Sequence, residues 1–138
     1  MAGIDPIRID GLAAFTRDLR KMDAELPKQL RIKFNEAAEL VAIWVRTRVP
    51  RRTGAARRSV KPRSTRTAVR LTAGGPRAPY FPWLDFGGRV GRNRSVSRRF
   101  ISDGRYLYPG YRTNRTRVRT LITGALAEAG KATGIEVT

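Results

Sequence analysis

Between residues 11 and 50 the apolar positions recur every three or four residues, the spacing that lines one face of a helix. Leu12, Phe15, Leu19 and Met22 predict a first helix over 11–24, with Asp10 as its N-cap. Pro27 suits the first turn of a second helix, and Leu30, Phe34, Ala37, Ala38, Val41, Trp44 and Val45 carry the period on to Pro50, which cannot continue it. Ile43 and Trp44 widen the apolar face, so two surfaces of this helix are expected to be covered by core packing, one by a sheet and one by the first helix or a neighbouring subunit.

From Ser59 the period changes. Ser59-Val60-Lys61 and Ala68 to Ala73, joined by a polar stretch over 62–67, predict an antiparallel hairpin with Val69 and Leu71 facing the helix. Lys61, Arg63, Arg66 and Arg70 would make its outer face cationic or simply solvated. Near the C-terminus Val118, Leu121, Ile122, Ala125, Leu126 and Ala129 return to helical spacing, with Arg112-Thr113-Asn114 as caps and Gly130 as the stop. Residues 1–10 alternate as Ile4, Ile7 and Ile9 around Pro6 and predict a short edge strand or extended arm; Ile135 and Val137 in the tail, 131–138, are placed to add another edge strand.

Two segments break the pattern. Residues 80–88, Tyr-Phe-Pro-Trp-Leu-Asp-Phe-Gly-Gly, form a rigid aromatic corner suited to core packing and a subunit contact. Residues 89–105 carry Arg89, Arg92, Arg94, Arg98, Arg99 and Arg105 among Gly, Ser and Asn, a poor core and a good structureless loop. Those guanidinium groups would grip phosphates or lie along an acidic neighbour, since their fork serves both.

The chain's 138 residues fit one domain. It has no cysteine and no histidine, which removes disulfides, thiolate nucleophiles, the usual base near neutral pH and most transition-metal sites. Asp85 and Asp103 are the only acids of the central region, too few for a two-metal nuclease. Glu36 and Glu39 read as part of a charged helix face beside Lys33 and Arg46. The composition therefore argues against an enzyme and calls for no cofactor. The formal charge of +18, from 29 basic against 11 acidic residues, favours a polyanion or an acidic partner surface. No apolar run is long enough to span a bilayer and no secretion signal is legible, so the expected place of synthesis is the cytoplasm.

At the junction of helix and hairpin, Pro50, Thr53, Gly54, Ser59 and Val60 resemble the Pro-x-x-Thr-Gly signature of the tail-completion, or head-tail joining, proteins of long-tailed bacteriophages, with Ala56 where that family usually has leucine. Tyr80, Asp85, Phe86 and Gly87 are similar to the family's Tyr-spacer-Glu-Phe-Gly-Thr segment, with Asp85 for Glu and Gly88 for Thr. Tyr106-Leu107-Tyr108-Pro109-Gly110 resembles its aromatic-Leu-x-Pro-Ala strand, which leads into the last helix.

The resemblance implies a small α+β domain, a long helix packed on a small antiparallel sheet, here with an N-terminal helix, a C-terminal helix and a long basic loop. It also implies a structural protein of the virion neck: a homo-oligomeric ring, most simply a hexamer, around the channel for double-stranded DNA, next to other neck and tail-terminator rings. In that setting the motif residues hold the fold, and the basic loop and termini reach neighbouring rings or DNA. The other expectation open to so basic a chain is a small nucleic-acid-binding protein using the Arg-rich loop and the sheet face.

Overall fold

The computed structural model describes residues 2–3, 11–51 and 54–133. Thr53 of the turn motif, the cap expected at Asp10, the alternation of Ile4, Ile7 and Ile9, and the tail pair Ile135 and Val137 lie outside the described residues.

The fold is α+β. Helix α1 (Leu12–Met22) buries Leu12, Thr16 and Leu19, and Asp23 ends it with an extended backbone. The Asp23 carboxylate then accepts the Glu25 amide at 2.9 Å, satisfying one of the donors that every helix start leaves open. Helix α2 (Glu25–Arg48) buries Leu30, Phe34, Ala37, Ala38, Val41, Ala42 and Val45, the face its periodicity predicts. Pro50 forces Val49 out of the helical region, and Val49 takes φ −66°, ψ 131°.

Where the sequence pattern places a strand at Ser59, a short helix α3 (Ala55–Ser59) intervenes. Gly54 enters it at φ 82°, a conformation that costs glycine little, and the five residues are too few to show a helical period. The hairpin follows as expected: β2 (Lys61–Pro62) pairs antiparallel with β3 (Leu71–Ala73), Lys61 opposite Thr72 and Pro62 opposite Leu71. Strand β1 (Ala2–Gly3) pairs with the other edge of β3, in the order β1-β3-β2. Val69 and Leu71 are buried in the core with α2.

The aromatic corner is helix α4 (Phe81–Phe86), with Pro82 in its first turn. The segment 89–105 is not structureless. Strands β4 (Gly88–Val90) and β5 (Val96–Arg98) form a second antiparallel sheet with Val90 opposite Val96, joined through a 3-10 turn (Arg92–Arg94). The alternation here is carried by Arg and Ser with only two valines, so the strand pattern has no apolar face to reveal it.

The last helix, α5 (Leu107–Thr133), begins where a strand is expected and outruns its expected stop. Pro109 lies in its first turn, where a missing amide costs nothing. Arg112, Thr113 and Asn114 are therefore interior positions; the Asn114 amide donates to the Gly110 carbonyl one turn back at 2.8 Å. Gly130 lies inside the helix as well. Helix α5 is the principal partner of α2, a role the pattern had given to the sheet and α1. Ile43, expected in the core, is 53% exposed, and Leu121 is exposed too.

Candidate functional site

The turn after α2 gathers side chains from three segments. Ser59 stands at its centre: its hydroxyl donates to the Ala56 carbonyl at 2.6 Å and accepts the Gly74 amide at 3.0 Å, tying α3 to the end of β3. Ala56, where the related pattern has leucine, is buried in the core. Arg57 donates to the Val49 carbonyl at 2.8 Å and so closes the end of α2. Arg46 reaches the Val60 carbonyl at 3.0 and 2.7 Å and forms an ion pair with Glu39.

These ties shape an open cavity of about 920 Å³ lined by Arg46, Arg57, Arg58, Lys61, Arg63 and Arg77, with Thr47, Ser59 and backbone at Gly74 between them. Among the described residues no carboxylate and no aromatic ring lines it. A second cavity, about 540 Å³, lies where α1 meets the connection between β2 and β3; Arg17, Arg20, Arg31 and Arg66 line it with Thr16, Ser64, Thr65 and Thr67. Its walls are fixed by Thr16, whose hydroxyl donates to the Arg66 carbonyl at 3.3 Å, and by Asn35, whose side chain accepts the Ser64 amide at 2.8 Å.

The aromatic corner is a structural joint. Asp85 is fully buried, and its Oδ1 accepts the amides of Arg105 at 2.7 Å and Tyr106 at 2.8 Å. Its Oδ2 is buried with no hydrogen-bond partner among the described residues. Gly87 turns the chain at φ 87°, where a Cβ would fall 2.7 Å from the Arg99 carbonyl carbon. Phe86 packs its ring against Tyr108 with centroids 6.5 Å apart, Leu107 is fully buried, and Tyr80 is exposed. The predicted fold-motif residues at 85–87 and 107–109 thus meet, whereas Pro50, Gly54 and Ser59 organise the separate turn above.

The six arginines of 89–105 divide. Arg98 donates to the Leu84 carbonyl at 3.1 Å and to the Tyr106 hydroxyl at 3.1 Å, and lies 5.8 Å from the Trp83 ring centre. Arg105 holds the Asp85 carbonyl at 3.0 Å and the Arg99 carbonyl. Both guanidiniums hold the base of the hairpin. Arg89, Arg92, Arg94 and Arg99 are exposed, beside Val90, Val96 and Phe100, the last 66% exposed.

Sequence reasoning missed the basic cavities because their residues belong to segments far apart in the chain. Arg57 and Arg58 lie within the Pro50–Val60 motif, but their partner Arg77 follows the second strand, and only the hairpin closes that distance. Lys61 and Arg63, expected on a cationic sheet face, do line one cavity, and Arg66 lines the other; Arg70 lines neither. Glu36 and Glu39 make ion pairs with Lys33 and Arg46, in keeping with a charged helix face. Among the described residues there is no group of three metal-ligating side chains, and no helix is long and apolar enough to cross a membrane. In comparisons with known proteins, no family model, no curated protein and no solved structure matches this chain.

Proposed function

We propose that this chain is a structural subunit of a bacteriophage neck, completing or joining the tail at the head-tail interface as one copy of a ring around the DNA channel. The observation that carries the reading is the tertiary role of the motif residues. Asp85 and Gly87 clamp the hairpin base to the start of α5, while Ser59 ties α3, which Gly54 opens, to the end of β3. The segments that resemble the family's signature are thus the joints of the fold, as the resemblance implies.

A ring needs two different faces that fit head to tail, and repetition lets one weak contact act many times. The hairpin offers Val90, Val96 and Phe100 exposed beside Arg89, Arg92, Arg94 and Arg99, a mixed apolar and cationic arm suited to a neighbouring subunit or an adjacent ring. The protein would reside in the virion, after assembly in the host cytoplasm, with no cofactor and no catalytic role.

The test is deletion of the gene in a phage that carries it, followed by negative-stain electron microscopy of the lysate. DNA-filled heads beside separate, full-length tails are the expected result; normal virions would overturn the reading. The second reading, a small basic nucleic-acid-binding protein, is favoured by the two arginine-lined cavities. Normal virions together with tight, salt-sensitive binding of DNA by the purified protein would put it first.

A further inference from the structure

We infer that the two basic cavities form one track for the phosphodiester backbone of a nucleic-acid duplex, read without regard to sequence. This does not depend on the neck reading, because both cavities belong to a single subunit.

The first argument is chemical. One cavity presents Arg46, Arg57, Arg58, Lys61, Arg63 and Arg77, the other Arg17, Arg20, Arg31 and Arg66; among the described residues no carboxylate lines either, and Glu39 pairs with Arg46 beside the first. In the second cavity the Ser64 hydroxyl, which accepts the Arg70 amide at 3.1 Å, and the Thr65–Thr67 pair supply neutral donors to phosphate oxygens; the hydroxyls of Thr16, Thr47 and Ser59 are committed to main-chain carbonyls. Among the described residues no aromatic ring lines either cavity, so bases have no stacking platform there and the backbone is what the cavities recognise. An acidic protein would dock through a buried apolar or aromatic centre with charges at its rim. These cavities are lined by cations and polar groups, with no such anchor among the described residues.

The second argument is geometric and points to a polymer. Arg31 and Arg46 both stand on α2, fifteen positions apart, which places them about 22 Å apart along the axis and roughly 60° around it. A duplex advances about 3.4 Å along its axis per phosphate of one strand, so that distance corresponds to about six base-pair steps. A small polyphosphate would occupy one cavity; a duplex reaches both. The frame between them is held by Ser59, Asn35 and the Arg46 contacts with Val60, none of which has to move for a ligand to enter.

Binding of a 30-base-pair duplex of mixed sequence, followed by fluorescence anisotropy across a salt series, tests this on the full chain. One variant carries Lys61→Gln, Arg63→Gln and Arg77→Gln; a second carries Arg17→Gln, Arg20→Gln and Arg31→Gln. A control carries Arg115→Gln, Arg117→Gln and Arg119→Gln, exposed positions on α5 with the same loss of charge. Thermal melts verify that all three fold.

Each cavity variant is expected to lower affinity at least tenfold and to reduce the slope of log K against log salt by about 2 to 3, since each phosphate contact contributes about 0.9. The control should lose less than threefold. Equal losses in all three variants would overturn the track in favour of a diffuse field. So would tripolyphosphate binding as tightly as the duplex, which would make each cavity a separate small-anion site, or a duplex of one preferred sequence binding tenfold better than the mixed one.

Discussion

Oδ1 of Asp85 accepts the backbone amide of Tyr106 at 2.8 Å, joining the end of α4 to the start of α5, and the same atom takes the Arg105 amide at 2.7 Å. A carboxylate suits this place twice over, because the first amides of a helix lack carbonyl partners and its N-terminus carries partial positive charge. Removing the carboxylate strands the Tyr106 amide, worth about 1–3 kcal/mol when buried and unpaired, whereas the Arg105 amide keeps the Asp85 main-chain carbonyl at 3.0 Å. Asp85→Ala is therefore expected to cost about 1–3 kcal/mol in urea unfolding, and Asp85→Asn, which keeps one carbonyl oxygen, about 0.5–1.5 kcal/mol. A loss under about 0.5 kcal/mol for the alanine variant would show that the joint is held by packing alone.

How far this architecture is legible in the chain follows from what each residue has to contact. The faces of α1 and α2 can be read because one side of each meets the core and the other meets water, so burial follows the helical period through Leu12, Leu19, Phe34, Val41 and Val45. The start of α5 cannot, because Pro109 and Gly110 look like breakers until it is seen that one lies in a first turn and the other against Trp44. The β4–β5 hairpin is hidden by the arginines of 89–105, two of which, Arg98 and Arg105, serve the fold through the Leu84 and Asp85 carbonyls. The motif residues Asp85 and Gly87 could be singled out, but Gly104 could not. Its φ of 76° and its approach to Asp85, where a Cβ would fall 2.6 Å from Oδ1, depend on a meeting of segments nineteen residues apart.

Gly110 sits where α5 crosses α2. A Cβ there would fall 2.9 Å from both Trp44 Cε3 and Val45 Cγ2, and Val45 is fully buried. Gly110→Ala gains up to about 1 kcal/mol of helix propensity, but forcing a methyl into a packed crossing costs about 1–3 kcal/mol, so a net loss of about 1 kcal/mol is expected. Gly124 is the contrast on the same helix, with nothing within 4 Å of its added Cβ. Gly124→Ala should raise stability by about 0.5–1 kcal/mol. Thermal melts of the two variants moving in the same direction would mean that the α2–α5 crossing relaxes freely.

At Gly87 the obstacle is backbone. The residue holds φ 87° and ψ −161°, and a Cβ would meet the Arg98 carbonyl oxygen at 2.9 Å as well as the Arg99 carbonyl. Strain in this region costs about 1–3 kcal/mol before the steric overlap is counted. Gly87→Ala is expected to detach the base of the hairpin, and the local reporter is the Ile101 amide, which donates to the Phe86 carbonyl at 2.8 Å. Its hydrogen exchange should accelerate at least tenfold. Unchanged protection of Ile101 would show that the turn accepts a side chain.

Val41 and Ile43 lie two positions apart on α2 and face opposite fates. Val41 is 3% exposed within the core, whereas Ile43 is 53% exposed. A carboxylate at position 41 would be buried in the hydrophobic core, and burying one unpaired costs more than the roughly 5–15 kcal/mol that holds a domain together once lost packing is added. Val41→Asp is expected to abolish soluble folded protein. Ile43→Asp should leave the melting temperature of the isolated chain unchanged within the effect of about 0.5 kcal/mol typical of surface positions. If Ile43→Asp proved as damaging as Val41→Asp, the exposed side of α2 would have to be covered by another copy of the chain even in dilute solution. The sedimentation of the unmodified protein, run at micromolar concentration, would then have to show an oligomer. A monomer with an intolerant Ile43 would contradict the assignment of the helix faces itself.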